Sequence, residues 1–162
     1  MGNVCVIGSI NMDLMVKVDR MVKVGETIIS KGYYKNSGGK GANQAVAASR
    51  LGANVYMIGK VGNDETGDVL LRKLSEDNVD VKYISIDEEN PTGMAVITVD
   101  GAANNSIIVI PGANRILDCS NVQRAEEISK MSELIVAQFE TAVKATVSAF
   151  KTTREKYYCT LF

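Results

Sequence analysis

The first apolar run, residues 4–7 (Val-Cys-Val-Ile), stops at Gly8 and is long enough only for a buried strand. Apolar and polar positions then alternate over residues 15–19, the pattern of a half-exposed strand. Residues 27–34 offer it a partner, with Gly25 marking the turn between them. An Ala-rich stretch predicts a helix over residues 42–51, ended by Gly52 in the C′ position. Residues 55–61 read as a strand. Asn63-Asp64 supplies N-cap chemistry for a helix through Val69, Leu70 and Leu74 to Asp77. Residues 81–86 form a further predicted strand, and residues 93–99 and 106–110 flank Asp100-Gly101 as a hairpin. A helix over 121–132, a buried strand over 134–138 and a helix over 141–156 complete the pattern, the last with Val143, Val147 and Phe150 on one face. Alternating strands and helices with inserted β-hairpin material predict an α/β fold: a central, mostly parallel sheet flanked by helices and carrying a small β extension.

Composition changes the chemistry more than the class. The 162 residues include no His and no Trp. Without imidazole there is no Ser-His-Asp or Cys-His nucleophile and no His-ligated metal site, so acid–base work falls to Asp, Glu, Lys or Tyr. Eighteen Lys and Arg against nineteen Asp and Glu give a net charge of −1, which provides no electrostatic footprint for nucleic acid. The apolar runs are too short to cross a bilayer, and the N-terminal one ends too soon for a secretory signal. Cys5, Cys119 and Cys159 are widely spaced, with no C-x-x-C pair, which favours a reducing, cytoplasmic setting. Eleven of the 14 glycines lie at or before Gly67 and none follows Gly112, so a turn-rich first part gives way to a regular, helix-rich end.

Three places carry candidate chemistry. The first is Gly8-Ser9-Ile10-Asn11-Met12-Asp13, just beyond the first strand, where ligands of open α/β sheets sit. Asn11 and Asp13 are two apart on an extended segment, so both side chains can face one side and bind neighbouring hydroxyls of a polyol. Ordinary turn chemistry accounts for the same residue types. The second is Ser37-Gly38-Gly39-Lys40-Gly41-Ala42-Asn43, leading into the Ala-rich helix. Its glycines let a ligand approach the backbone, and the helix start offers free N–H donors. It is neither a P-loop, because Gly rather than Ser or Thr follows Gly-Lys, nor a G-x-G-x-x-G turn; a dinucleotide binder is disfavoured because the turn after the first strand, Gly8-Ser9-Ile10-Asn11, lacks the required glycine spacing. The third is Glu140, between an apolar strand and a helix, where a ligand role and simple complement to the helix dipole compete evenly.

Taken together, these residues resemble the ribokinase-like (PfkB-type) carbohydrate kinase family. The stretch from Gly38 to Gly62, the Gly8–Asp13 segment, Thr92-Gly93, Pro111-Gly112-Ala113-Asn114 and Gln138-Phe139-Glu140 fall in that family's order and spacing. The resemblance implies a small β lid over the sugar, formed by segments of about 13–20, 27–35 and 93–110, which often makes a homodimer interface. It also implies ATP- and Mg2+-dependent phosphorylation of a sugar such as D-ribose, with K+ as a monovalent cation. Carried over, Asn11, Met12 and Asp13 would bind sugar hydroxyls, Gly39, Lys40, Gly41, Ala42 and Asn43 would line the same pocket, and Glu140 would be a further partner.

The resemblance covers only the first half of a family member. The family's catalytic Asp belongs to a Gly-Ala-Gly-Asp motif that these residues do not contain, so neither a catalytic residue nor a metal ligand is assigned here. Tyr157-Tyr158-Cys159-Thr160-Leu161-Phe162 also departs from the apolar strand ending near Asn-Pro that the family shows. The chain by itself is therefore expected to lack kinase activity, and ATP and the cations are not expected to bind it well. The competing readings are a family kinase for another sugar or a nucleoside, and a non-catalytic sugar-binding or dimerisation module.

Overall fold

A computed structural model describes residues 2–152 and 157–160. β1 (Asn3–Ile7) lies between β4 (Asn54–Gly62) and β9 (Leu134–Ala137), parallel to both, and Val6 is opposite Met57 on one side and Val136 on the other. β5 (Val79–Asp80) and β6 (Ile84–Asp87) each pair with β4, and β10 (Tyr157–Thr160) pairs with β9. The resulting order is β10-β9-β1-β4-β5.

Successive strand side chains point to opposite faces, and that alternation divides the core in two. Val6, Met57 and Val136 pack with α1 (Lys40–Arg50) and α2 (Glu65–Glu76). Cys5, Ile7, Ile58 and Ile135 pack with α3 (Cys119–Arg124), α4 (Glu126–Met131) and α5 (Val143–Thr152). Each fully buried aliphatic side chain contributes about 1.5–3 kcal/mol, so these two layers, more than helix propensity, hold the elements in place. The chain builds outward from β1 to β5 with helices on one face, then returns to β9 with helices on the other. The gap between the carboxyl ends of β1 and β9 is therefore the point where strand order reverses, the place such sheets bind ligands.

A second sheet is separate from the first. It takes the order β3-β2-β7-β8, from β2 (Asn11–Lys17), β3 (Gly32–Gly38), β7 (Gly93–Val99) and β8 (Asn105–Ile110). β2 runs antiparallel to β3 and parallel to β7, and β7 and β8 form the hairpin the sequence predicts. Asp100 closes that hairpin by accepting from the backbone N–H groups of Ala102 and Asn104. Every position of β8 is exposed, including the run Ile107-Ile108-Val109-Ile110. The chain passes between the two sheets four times, at residues 8–10, at Gly39, at 88–92 and at Pro111.

The elements are of the predicted types, but several bounds move. The strand expected over 15–19 begins at Asn11, because pairing with both β3 and β7 extends it. Its partner occupies Gly32–Gly38 rather than 27–34, and Gly25 lies in a loop with φ of 73°. Residues 81–86 are not one strand: a turn separates β5 from β6, held by the Ile84 N–H on the Val81 carbonyl. The helix expected over 121–132 is broken at Ala125, whose ψ of 14° leaves the helical range. On α5 the buried face is Ala145, Thr146 and Ala149, whereas Val143 and Val147 are exposed. Ala145 and Ala149 share a buried cluster with Val122 of α3, Ile128 of α4 and the strand residues Ile7 and Ile135. Residues 153–156, the expected end of that helix, lie outside the described residues. Tyr157–Thr160, read as a departure from the family pattern, nonetheless forms β10, in keeping with the strand preference of Tyr and Thr. Gly52 takes φ of 93° beyond α1, as its C′ assignment requires.

Candidate functional site

Two glycines bring β2 and α1 together. A Cβ at Gly38 would stand 2.1 Å from Asp13 Oδ2, so the Asp13 carboxylate rests directly on the bare backbone of β3. Gly39 has φ of 93°, and a Cβ there would meet the Ser9 carbonyl oxygen at 2.6 Å and the Asn11 nitrogen at 2.8 Å. Only glycine fits both the conformation and the space. Close approach lets the Ala42 N–H, in the first turn of α1, donate to the Ser9 carbonyl at 3.0 Å. This contact starts the helix at Lys40 in place of a side-chain cap.

Glu140 enters from the loop after β9. Its Oε2 accepts from the Ser9 hydroxyl at 2.6 Å, and its Oε1 pairs with Lys40 Nζ at 3.2 Å. Lys40 is more than half exposed, so that ion pair orients more than it stabilises. Burial raises the pKa of Asp13, and the negative charge of Glu140 raises it further. Two carboxylates, a hydroxyl and a lysine ammonium thus converge where β1 and β9 end. Carboxylates accept from hydroxyl groups in pairs, which gives this cluster the chemistry of polyol recognition.

Buried amides support the cluster from behind. Gln138 is 1% exposed: its Oε1 accepts from the Ser9 N–H at 3.2 Å, and its Nε2 donates to the Ile7 carbonyl and to Gln44 Oε1. Asn114, also 1% exposed, sits in the short 3-10 turn Gly112–Ile116. Its Oδ1 accepts from the Ile10 N–H, and its Nδ2 donates to Asn11 Oδ1, the Ile10 carbonyl and the Pro111 carbonyl. Neither amide was assigned a role from sequence, although Gln138 and Asn114 stand in the segments that carry the family resemblance. Ser9 and Gly38 likewise fell inside the candidate motifs without being singled out. An amide's partners are distant in sequence, and composition carries no sign of them.

The predicted site residues do not all share one surface. Asn11, Asp13, Gly39, Lys40 and Glu140 gather at the strand ends, and Gly41 packs there against Gly8 and Ser9. Met12 alternates with Asn11 and Asp13 on β2, so its side chain points away from them. With Ala42 and Asn43 it lines a cavity of about 950 Å3 between β2–β3 and the helices α1 and α2. Among the described residues no three His, Cys, Asp or Glu side chains converge as metal ligands. No helix of the described residues is long and apolar enough to cross a membrane.

Fold and site define a class: an α/β domain carrying a separate four-stranded sheet, with carboxylates gathered at the switch point of its parallel sheet. The family model for pfkB family carbohydrate kinases matches residues 1–162. The chain is 37% identical over 157 residues to a ribokinase of Dictyostelium discoideum, covering 97% of this chain and 49% of that one. It is 42% identical over 139 residues to a ribokinase of Bacillus subtilis, covering 85% and 47%. The solved ribokinase of Arabidopsis thaliana, complexed with ribose and ATP, superposes with a TM-score of 0.85 at 28% identity, over 98% of this chain and 53% of that one. The chain belongs to the PfkB family of carbohydrate kinases, and it spans about half the length of the relatives it matches.

Proposed function

We propose that this chain supplies the sugar-recognition half of an ATP-dependent kinase that phosphorylates D-ribose at its primary hydroxyl, giving ribose 5-phosphate. The observation that carries the reading is the convergence of Asp13, Glu140, Ser9 and Asn11 at the carboxyl ends of β1 and β9. Asp13 and Glu140 accept from sugar hydroxyls, Asn11 donates, and the Gly38-Gly39 backbone lets the ring lie close. The second sheet closes over the sugar as a lid, and its exposed Ile107–Ile110 edge packs on a second copy of the chain. ATP and Mg2+ supply the phosphoryl group and its charge neutralisation. Among the described residues no three His, Cys, Asp or Glu side chains gather to hold that metal.

Binding and chemistry are separable in the test. Calorimetric titration of the 162-residue chain with D-ribose gives saturable binding that Asp13→Ala weakens more than tenfold. Absence of any saturable response refutes the reading. A 37% identical deoxyribokinase of Salmonella typhi makes 2-deoxy-D-ribose the discriminating competitor, and tighter binding of the deoxy sugar would reassign the substrate. With ATP, Mg2+, K+ and ribose the same chain forms no ribose 5-phosphate above background. Sustained turnover would place the catalytic carboxylate within these residues.

A further inference from the structure

The orientation of the Asn114 carboxamide is dictated by groups whose polarity is not open to choice. On one side stands the Ile10 N–H, which only donates, 2.9 Å from Oδ1. On the other stand the carbonyls of Ile10 and Pro111, which only accept, 3.0 and 3.1 Å from Nδ2. Reversing the amide would set an oxygen against two carbonyls and an NH2 against an N–H, at a site 1% exposed where each mismatch carries a full desolvation cost. The two hydrogens on Nδ2 are shared among three acceptors, the third being Asn11 Oδ1 at 2.8 Å. Asn11 must therefore show its oxygen to Asn114. Its NH2 is left on the opposite side, and among the described residues no hydrogen bond takes Asn11 Nδ2.

We infer that Asn114 is a positioning residue for substrate recognition: its backbone-locked amide sets the orientation of Asn11, so that Asn11 presents a hydrogen-bond donor to the sugar beside the acceptor Asp13. This rests on the sugar-site reading above. The pair then suits a hydroxyl that accepts from Asn11 Nδ2 while donating to Asp13, and discriminates against groups with only one of those capacities. Asn114 belongs to the segment that leaves the second sheet, and Asn11 to the segment that enters it. Gly93 allows the contact, since a Cβ there would lie 2.2 Å from Asn114 Nδ2 and 2.3 Å from Asn11 Oδ1.

Asn114→Asp keeps the shape and replaces the amide nitrogen by an oxygen, which Asn11 can satisfy only by turning its own NH2 inward. Hydrogen exchange of the side-chain amides, followed by NMR on the ligand-free 162-residue chain, reads this directly. In the unsubstituted chain the Asn114 amide protons are protected and those of Asn11 exchange rapidly. In Asn114→Asp the Asn11 protons slow at least tenfold. Protected Asn11 protons in the unsubstituted chain overturn the inference, as does unchanged Asn11 exchange in a folded Asn114→Asp chain. If that variant does not fold, exchange in the unsubstituted chain decides alone. A double-mutant cycle adds the functional readout: Asn114→Asp weakens ribose binding at least tenfold when Asn11 is present and less than twofold in an Asn11→Ala background. Equal losses in both backgrounds mark a merely structural role and overturn it. A chain that ignores ribose but shows the expected exchange refutes the sugar reading and leaves the positioning of Asn11 standing.

Discussion

Removing the Asp64 carboxylate tests how the second sheet is anchored. Asp64 is the N-cap of α2, and its Oδ1 accepts from the Gly67 N–H and from the Thr92 hydroxyl, both at 2.7 Å. Its Oδ2 accepts from the Thr92 N–H at 2.8 Å, one residue before β7 begins. Thr92 Oγ1 in turn accepts from the Gly62 N–H at 3.0 Å, and Thr92 is 5% exposed. Asp64→Ala thus loses a cap, about 0.5–2 kcal/mol. It also leaves a buried N–H and hydroxyl unpaired, about 1–3 kcal/mol more. A combined loss of roughly 1.5–5 kcal/mol lowers the melting temperature of a domain this size by about 3–20 °C. Burial works to raise the pKa of Asp64, but hydrogen bonds from Thr92, Gly67 and Thr66 outweigh it and hold the value below the usual one. With the folded pKa depressed, the stabilisation is present above the unfolded-state value and is lost as pH falls through the folded one. The gap between the unsubstituted chain and Asp64→Asn is therefore widest at neutral pH and shrinks in acid. Urea unfolding across pH measures it, with hydrogen exchange in β7 as the local readout. A loss below about 0.5 kcal/mol, or a gap independent of pH, refutes the anchoring argument.

Asp13 has the opposite linkage. Its raised pKa means that its contribution to stability is present below the unfolded value and lost as pH rises through the folded one, while the proposed ribose binding, which uses the ionised form, weakens as pH falls. Glu140→Gln removes the repelling charge and shifts the midpoint of the affinity–pH curve downward; an upward or absent shift refutes the coupling. Gly38→Ala, which forces the Asp13 carboxylate off its seat, weakens ribose binding more than tenfold by calorimetry, and unchanged affinity would show that the carboxylate does not bind sugar there. Ile108→Lys, in the middle of the exposed β8 run, turns the proposed dimer into a monomer by light scattering, and an unchanged mass places the interface elsewhere.

The amino-acid order by itself determined the element types and the class. Buried strands need unbroken apolar runs, as in Val4–Ile7, and helices need caps and stops, as Asp64 and Gly52 supply; both signals are local. The glycine cluster at 38–41 and the paired Asn11 and Asp13 were legible for the same reason, since each is a short motif with its own geometry. Strand bounds were less legible, because β2 extends to Asn11 only through its distant partners Gly38 on β3 and Gly93 on β7. Hydrophobicity aligned Val143, Val147 and Phe150 on one face of α5, but of the three only Phe150 packs on the core, beside the buried Ala145 and Ala149. Tertiary structure alone decided that Ser9 binds Glu140, that Met12 turns away from the carboxylates toward the α1–α2 cavity, and that Asn114 holds Asn11. The Ser9–Glu140 and Asn11–Asn114 contacts join residues 131 and 103 positions apart. A buried polar group is satisfied by whatever the fold brings beside it, and no local pattern along the chain encodes that meeting.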